Sequence, residues 1–232
     1  MLFANVLVDT FIAGGHIMWP ILGCFIVCCV VLAERTIAWT SLAKRSDSKR
    51  LNAAYDAIVA GDFAKAEHLS NAPGDPFLRT VHAGITRAHI SLLGAMQLEA
   101  SGEIEKADKR LWLLATFITL APLLGLLGTV TGIKNSFDVL GGEELSQTKI
   151  TGGIGEALIA TACGLGIAIL CLIPYNYFNR CLVHFRMRLE RTINHVELLA
   201  ESAKHNGSDL ADFSREFAAS APAREKPPAL SK

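Results

Sequence analysis

The first 33 residues contain no lysine or arginine, and three stretches of the chain contain no charged side chain. The charge-free stretches are Thr10–Ala33, Leu111–Ile133 and Ala157–Asn179. Each exceeds the roughly 20 residues that a helix needs to cross a bilayer. A signal peptide carries basic residues before its apolar stretch, and here they are missing. We therefore expect three membrane-spanning helices and no cleavage.

The chain also lacks the sequence motifs of common enzymes. It has no GxxxxGK[ST] nucleotide loop, and no Ser-His-Asp grouping, metal-ligand cluster or cofactor motif stands within or beside the apolar stretches. His82 and His89 fall on one predicted helix face, where solvated histidines are expected more often than metal ligands. We expect no cofactor, no metal and no enzymatic activity. The formal net charge of zero is no argument for a nucleic-acid partner, and we expect none.

Most of the six cysteines fall inside the apolar stretches, and only Cys181 lies just beyond one. Free cysteine behaves as a small apolar residue in protein interiors. The spacing implies no disulfide framework. We expect these side chains to be packing residues.

Basic residues are distributed asymmetrically between the connecting segments. They flank the first inter-helix segment at Arg35, Lys44 and Lys109, whereas the second segment has only Lys134 and Lys149. Since cytoplasmic segments are enriched in lysine and arginine, the N-terminus should be periplasmic and the C-terminus cytoplasmic.

The expected organisation is an all-α membrane protein with long cytoplasmic helical extensions. Its segments, in chain order, are an outer N-terminus with the first span, a cytoplasmic helical region, the second span, a periplasmic loop, the third span, a cytoplasmic helix extension and a disordered tail: 1–33, 34–110, 111–133, 134–153, 154–179, 180–205 and 206–232. The first helix should start near Phe11. The tail is rich in Ser, Ala, Pro and charge, which predicts disorder.

Capping signals divide the cytoplasmic region into several helices. Gly61-Asp62 predicts a helix stop followed by an N-cap. Asp75-Pro76 predicts an N-cap followed by proline in the first helical position. A further helix over Leu92–Arg110 is expected to run unbroken into the second span.

Glu156 stands at the mouth of the third apolar stretch. An acid near the hydrocarbon costs free energy, up to roughly 3 kcal/mol at the bilayer centre. Such a residue persists where it faces protein, water or an ion path. Alternatively, Glu156 is an acid at a helix N-terminus, where the macrodipole favours it.

Small residues continue from Glu156 at four-residue intervals, at Ala160, Gly164 and Ala168. This stripe can line a pore or accept a close partner helix. Thr161 is about 140° around an ideal helix from Glu156 and therefore flanks the stripe.

The second apolar stretch carries glycines at Gly125, Gly128 and Gly132, the last two forming GxxxG. Small residues allow close helix approach in lipid. Thr129 lies among them. Both Thr129 and Thr161 are polar-path candidates, but a membrane threonine also commonly bonds to its own helix backbone.

The segment Gly125–Ile133, followed by Gly155–Thr161 and Ile173–Asn176, resembles the MotA/TolQ/ExbB proton-channel family. The similarity is strong over Leu123–Phe178. The loop Thr151–Ile154 departs from the commonest ExbB and TolQ sequence. Three spans resemble ExbB and TolQ more than MotA, which has four.

The resemblance implies a ring-forming homo-oligomer, a pentamer in the best-understood members. It surrounds an ExbD- or TolR-like one-span partner, whose aspartate takes and releases the proton. A TonB- or TolA-like protein spanning the periplasm would receive the motion. The family's polar pore residues map onto Thr129, Glu156 and Thr161, in the inner membrane of a bacterium.

The leading hypothesis is therefore an ExbB-like stator subunit that couples the proton motive force to TonB-dependent outer-membrane transport. A TolQ-like subunit of a Tol-Pal envelope-maintenance motor is the alternative. A membrane scaffold, in which Glu156 only pairs with a neighbouring helix, and a membrane enzyme remain as different classes. We expect oligomerisation through the second and third helices, with the first helix facing lipid.

Overall fold

The computed structural model describes residues 10–138 and 147–220, with side chains in the second range from residue 151 onward. Within these residues the secondary structure is helical, without strands. The main helices are α1 (Met18–Arg45), α2 (Ser48–Val59), α3 (Phe63–Ser70), α4 (Pro76–Asp108), α5 (Leu111–Asp138), α6 (Gln147–His205) and α7 (Leu210–Ser220).

Three helical stretches are long and apolar enough to cross a membrane: the first is α1, the second includes α5 and the third lies within α6. Their most apolar windows have mean hydropathies of 2.1, 2.1 and 2.3. Apolar side chains stand exposed on all three helices, including Ile26, Leu126 and Ile169. Lipid is the natural neighbour of such surfaces. The prediction of an all-α membrane protein with three spanning helices is confirmed.

The first spanning helix begins later than the sequence predicted. Residues 10–13 are helical, but the helix is interrupted at Gly14 and Gly15 before α1 starts at Met18. Gly15 has φ +68°, a left-handed conformation that glycine adopts without steric cost. The expected start near Phe11 is corrected for this reason.

The junction between α4 and α5 also differs from expectation. Arg110 has φ 67° and separates α4 from α5, so the helix does not run unbroken into the second span. Its guanidinium forms an ion pair with Glu34 of α1. The sequence of Leu92–Arg110 does not indicate this break, because the ion pair joins residues far apart in sequence.

Two expected irregular segments contain helix. Helix occupies both ends of the loop expected over 134–153, because α5 continues to Asp138 and α6 already begins at Gln147. The tail expected to be disordered from residue 206 contains α7, whose Leu210 and Ser214 are buried. Residues 139–146 and 221–232, which belong to the same two predictions, lie outside the described residues.

The described residues fall into two compact units. One consists of the described residues up to Ile37 and between Asp108 and Cys181, and the other of Ala38–Ala107 and the described residues from Leu182 onward. The core of the second unit combines side chains from α2 to α4, α6 and α7, among them Ile58, Phe63, Phe77, Val81, Phe185, Leu189 and Val196.

The predicted helix starts in the second unit are confirmed. Asp62 accepts a hydrogen bond from the Lys65 amide and caps α3. Asp75 accepts one at 2.8 Å from the Phe77 amide at the start of α4. A carboxylate at this position satisfies amide groups that have no partner within the helix.

Helix α4 contains an irregularity around His89. Arg87 and Ser91 have non-helical backbone angles, and the Ser91 hydroxyl accepts a hydrogen bond from the Gly94 amide. The Ser214 hydroxyl of α7 lies 2.6 Å from the His89 amide nitrogen and 2.7 Å from its Nδ1. Ser214 therefore provides an acceptor for an amide at the irregularity and attaches α7 to α4.

Two of the cysteines are paired in the first unit. Cys28 of α1 and Cys171 of α6 form a disulfide, with Cα atoms 6.8 Å apart. Both are buried. The expectation that all cysteines are simple packing residues is corrected for this pair, because sequence spacing does not reveal that two helices bring them to the same level.

Candidate proton-pathway site

Helices α5 and α6 meet along a seam of small residues. Gly125, Gly128 and Gly132 of α5 are all buried. A Cβ atom on Gly128 would lie 2.7 Å from the Ala160 Cβ, and one on Gly132 would lie 2.8 Å from the Ala157 Cβ. These distances are shorter than real Cβ contacts, so glycine is needed on α5 for this approach.

The α6 side of the seam is equally close. A Cβ on Gly164 would lie 2.5 Å from the Ala121 carbonyl oxygen and 3.2 Å from the Gly125 Cα. Ala160 and Ala168 are buried as well. Of the two roles predicted for the stripe, Ala160 and Gly164 fill that of a close helix contact, and they do so within a single chain.

Thr161 joins the two helices by a polar contact. Its hydroxyl donates a 2.7 Å hydrogen bond to the Gly125 carbonyl oxygen. A Cβ on Gly125 would lie 2.9 Å from the Thr161 Cα, so the absence of a side chain at Gly125 permits the approach. Thr161 therefore bonds to the neighbouring helix and not to its own.

Thr129 behaves differently. Its hydroxyl donates a 2.7 Å hydrogen bond to the Leu126 carbonyl oxygen of the same helix. This is the back-bonding arrangement common for threonine in membrane helices. Thr129 is partly exposed in the single chain, and the structure does not bring it into a hydrogen bond with Glu156 or Thr161.

Glu156 lies in the interior of α6, since that helix begins at Gln147. The macrodipole acts mainly within the first turn of a helix, which removes the explanation of Glu156 as an N-terminal acid. Its side chain is partly buried. The carboxylate occupies the place that a Cβ on Gly15 would take.

Gly15 was not recognised from the sequence as part of the site. The adjacent Gly14-Gly15 pair inside an apolar stretch was the available signal, because glycine pairs interrupt helices. Nothing local to that pair, however, indicates that it faces Glu156 from a distant part of the chain.

The histidines of α4 do not meet. His82 Nε2 lies 2.9 Å from a Glu67 carboxylate oxygen, while His89 contacts Ser214. Across the described ranges there is no group of three or more His, Cys, Asp or Glu side chains suited to a metal.

The seam and Glu156 lie within the region that relates this chain to known proteins. The sequence model of the MotA/TolQ/ExbB proton channel family matches residues 71–191. The chain belongs to this family. The resemblance found in Gly125–Ile133 and Gly155–Thr161 is thereby confirmed, and the chain is a multi-pass inner-membrane protein of the proton-channel type.

Individual relatives come from two branches of the family. The chain is 36% identical to the ExbB-like 1 biopolymer transport protein of Synechocystis over 73% of this chain and 69% of that protein. It is 29% identical to the ExbB-like 3 protein of the same organism, over 81% of this chain and 91% of the relative. The Tol-Pal system protein TolQ of Pseudomonas aeruginosa is 40% identical over 53% of this chain and 50% of its own.

Proposed function

We propose that the chain is an ExbB-like stator subunit of a proton-driven motor in the inner membrane. In this proposal an ExbD-like one-span partner carries the transferred proton, and a TonB-like protein transmits the motion to outer-membrane transport. The chain itself forms a ring-shaped homo-oligomer around the partner, a pentamer by analogy with the family.

The position of Glu156 carries the proposal. It is a partly buried acid in the interior of a spanning helix, and no described hydrogen bond or ion pair involves it. A carboxylate in this setting is available to a partner's side chain or to water. Moving one charge across the membrane releases about 2.3 kcal/mol per 100 mV, so repeated transfers can power a mechanical cycle.

The proposed orientation places Glu156 towards the periplasmic end of α6. The N-terminus is periplasmic and the C-terminus cytoplasmic, as the distribution of lysine and arginine favours. Protons would enter from the periplasmic side, pass near Glu156, Thr161 and Thr129, and reach the partner's acid within the ring.

Proton flux in liposomes that contain the chain together with its partner tests this function. Glu156→Ala should abolish the partner-dependent flux and leave membrane insertion intact, because it removes only a charge that is costly in lipid. Glu156→Gln separates charge from hydrogen bonding. Glu190→Ala is the matched control, since Glu190 is an exposed acid on the same helix outside the apolar stretch. Normal flux in Glu156→Ala would favour a scaffold instead.

A TolQ-like function is the second candidate, supported by the 40% identity to the Pseudomonas aeruginosa protein. Complementation distinguishes the two. An ExbB-like subunit should restore TonB-dependent uptake in a strain that lacks its own subunit. A TolQ-like subunit should instead restore resistance to detergent, which reports envelope integrity.

A further inference from the structure

The Glu156 side chain lies against the non-helical backbone that precedes α1. Gly15 is left-handed at φ +68°, and the Met18 amide donates to the Gly15 carbonyl oxygen at 3.1 Å as α1 begins. On the side of Gly15 where a Cβ would stand, the Glu156 carboxylate is already present. The Glu156 Cγ would lie 3.0 Å from that Cβ, so a Cβ at position 15 would clash with the carboxylate and crowd the methylene group next to it.

We propose that Gly15 is a positioning residue for Glu156. The non-helical backbone at Gly14 and Gly15, ahead of α1, forms the surface that holds its carboxylate, which we call the seat. The inference rests on the proposed function of Glu156. Any side chain at position 15 would push the carboxylate out of this seat. The first spanning helix would thus act on the proton pathway through its entry segment, in addition to its contact with lipid.

A neighbouring contact keeps this non-helical backbone against α6. A Cβ on Gly14 would lie 3.2 Å from Ile159 Cγ2 and 2.5 Å from Met18 Cγ. Gly14 is buried, and its amide donates to the Thr10 carbonyl oxygen at 3.1 Å. The backbone at Gly14 and Gly15 therefore faces α6 over the turn that carries Glu156, and the seat does not depend on a single residue alone.

Two features of glycine, its tolerance of positive φ and its lack of a Cβ, require separate variants. Gly15→Ala disturbs both. Gly15→Asn adds a Cβ but keeps a residue that enters the left-handed region readily. Both variants should lower partner-dependent proton flux about ten- to hundred-fold, since small misplacements of a functional group have effects of that size. Gly23→Ala is the control on α1, because nothing lies within 4 Å of a Cβ at that glycine.

A compensating substitution in Glu156 tests whether Gly15 acts through that side chain. A purely structural role of Gly15 does not predict such compensation. Glu156→Asp shortens the side chain by one methylene and should lower flux in the natural background. Combined with Gly15→Ala, it should raise flux above that of Gly15→Ala alone, because the shorter side chain makes room for the added Cβ. If the Gly15 variants yield too little complex for flux, the same comparison is made on the yield of complex.

The outcomes separate this inference from the proposed function. Loss of flux in Glu156→Ala together with normal flux in Gly15→Asn would overturn the seat and leave the role of Glu156 standing. Equal loss on introducing Glu156→Asp in both backgrounds would overturn it too. Normal flux in Glu156→Ala would remove the proposed function itself, and the seat with it.

Discussion

The hydroxyl of Thr161 in α6 donates a 2.7 Å hydrogen bond to the carbonyl oxygen of Gly125 in α5. That carbonyl belongs to a residue without a side chain, which is why α6 approaches closely enough to reach it. The backbone of α5 and the side chain of α6 are therefore joined within the small-residue seam. Thr161 and Thr129 looked equivalent in sequence, but they have different partners.

Thr161→Val should destabilise the packing of α5 on α6 more than Thr129→Val does. Interhelical hydrogen bonds in membrane proteins contribute about 0.6 kcal/mol on average and up to about 1.7 kcal/mol. Thr129 donates only within its own helix, so its replacement leaves no interhelical bond broken. Unfolding of the detergent-solubilised protein in increasing denaturant measures the difference.

Thr161→Ser is the control for that comparison, because it keeps the hydroxyl and removes a methyl group. It should stay closer to the natural protein than Thr161→Val. Equal destabilisation by the valine variants at Thr161 and Thr129 would show that the bond to Gly125 contributes nothing to packing.

Gly164→Ala should destabilise the seam, whereas Gly166→Ala should not. A Cβ at Gly164 would meet the Ala121 carbonyl oxygen at 2.5 Å, and backbone cannot move aside cheaply. Overpacking of this kind costs about 1–3 kcal/mol. Nothing lies within 4 Å of a Cβ at Gly166, and alanine favours helix there. The midpoint of thermal unfolding in detergent compares the two, and similar midpoints would contradict the seam.

Ser214→Ala should loosen α7 from α4. The substitution removes the acceptor of the His89 amide at the irregularity in α4. A polar group left without its partner costs about 1–3 kcal/mol when buried. Ser220→Ala serves as control, since Ser220 is exposed on the same helix and donates only to the Phe217 carbonyl oxygen. Limited proteolysis after α6 should be faster in Ser214→Ala than in the natural protein or in Ser220→Ala. Equal cleavage rates in the two variants would show that Ser214 does not attach α7 to α4.

Acidification should weaken the start of α7 through Asp209. Its carboxylate accepts a 2.8 Å hydrogen bond from the Ala211 amide, which lowers the pKa of Asp209, and the positive charge of Lys204 adds to this. A lowered folded-state pKa means that the stabilisation is present above about pH 4, the ordinary value for aspartate, and is lost as pH falls through the lower folded value. Hydrogen-exchange protection of α7 measures it.

Asp209→Asn keeps an acceptor oxygen but cannot titrate. Protection of α7 in this variant should lose the pH dependence that the natural protein shows below about pH 4. A pH dependence unchanged by the substitution would assign the effect to another group.

Local patterns in the sequence predicted the features that depend on near neighbours. The apolar lengths gave the three spans, and the carboxylates of Asp62 and Asp75 marked helix starts because a cap interacts within its own turn. The family resemblance in Gly125–Ile133 and Gly155–Thr161 was likewise visible without a structure.

Features that depend on distant segments were not predictable in this way. Arg110, which interrupts the helix between α4 and α5, forms an ion pair with Glu34, and Ser214 forms a hydrogen bond with His89. Both contacts join residues that are remote in sequence. The same holds for Gly15 and Glu156. Helix α7 was not predicted, because the composition of the tail is polar and typical of disorder. Its few apolar side chains nevertheless pack on the core of the second unit, which is formed mostly by other helices.

The close approach of α5 and α6 has a mechanical consequence. Helices normally interlock because ridges of large side chains fill grooves on the partner, and a shift along the axis must lift one ridge over the next. In this seam the Ala160 and Ala157 methyl groups fit only against Gly128 and Gly132, so a shift along the axis that places a residue with a side chain opposite either methyl group is sterically opposed. Thr161, bonded to the Gly125 carbonyl oxygen, adds a polar contact that favours the same register.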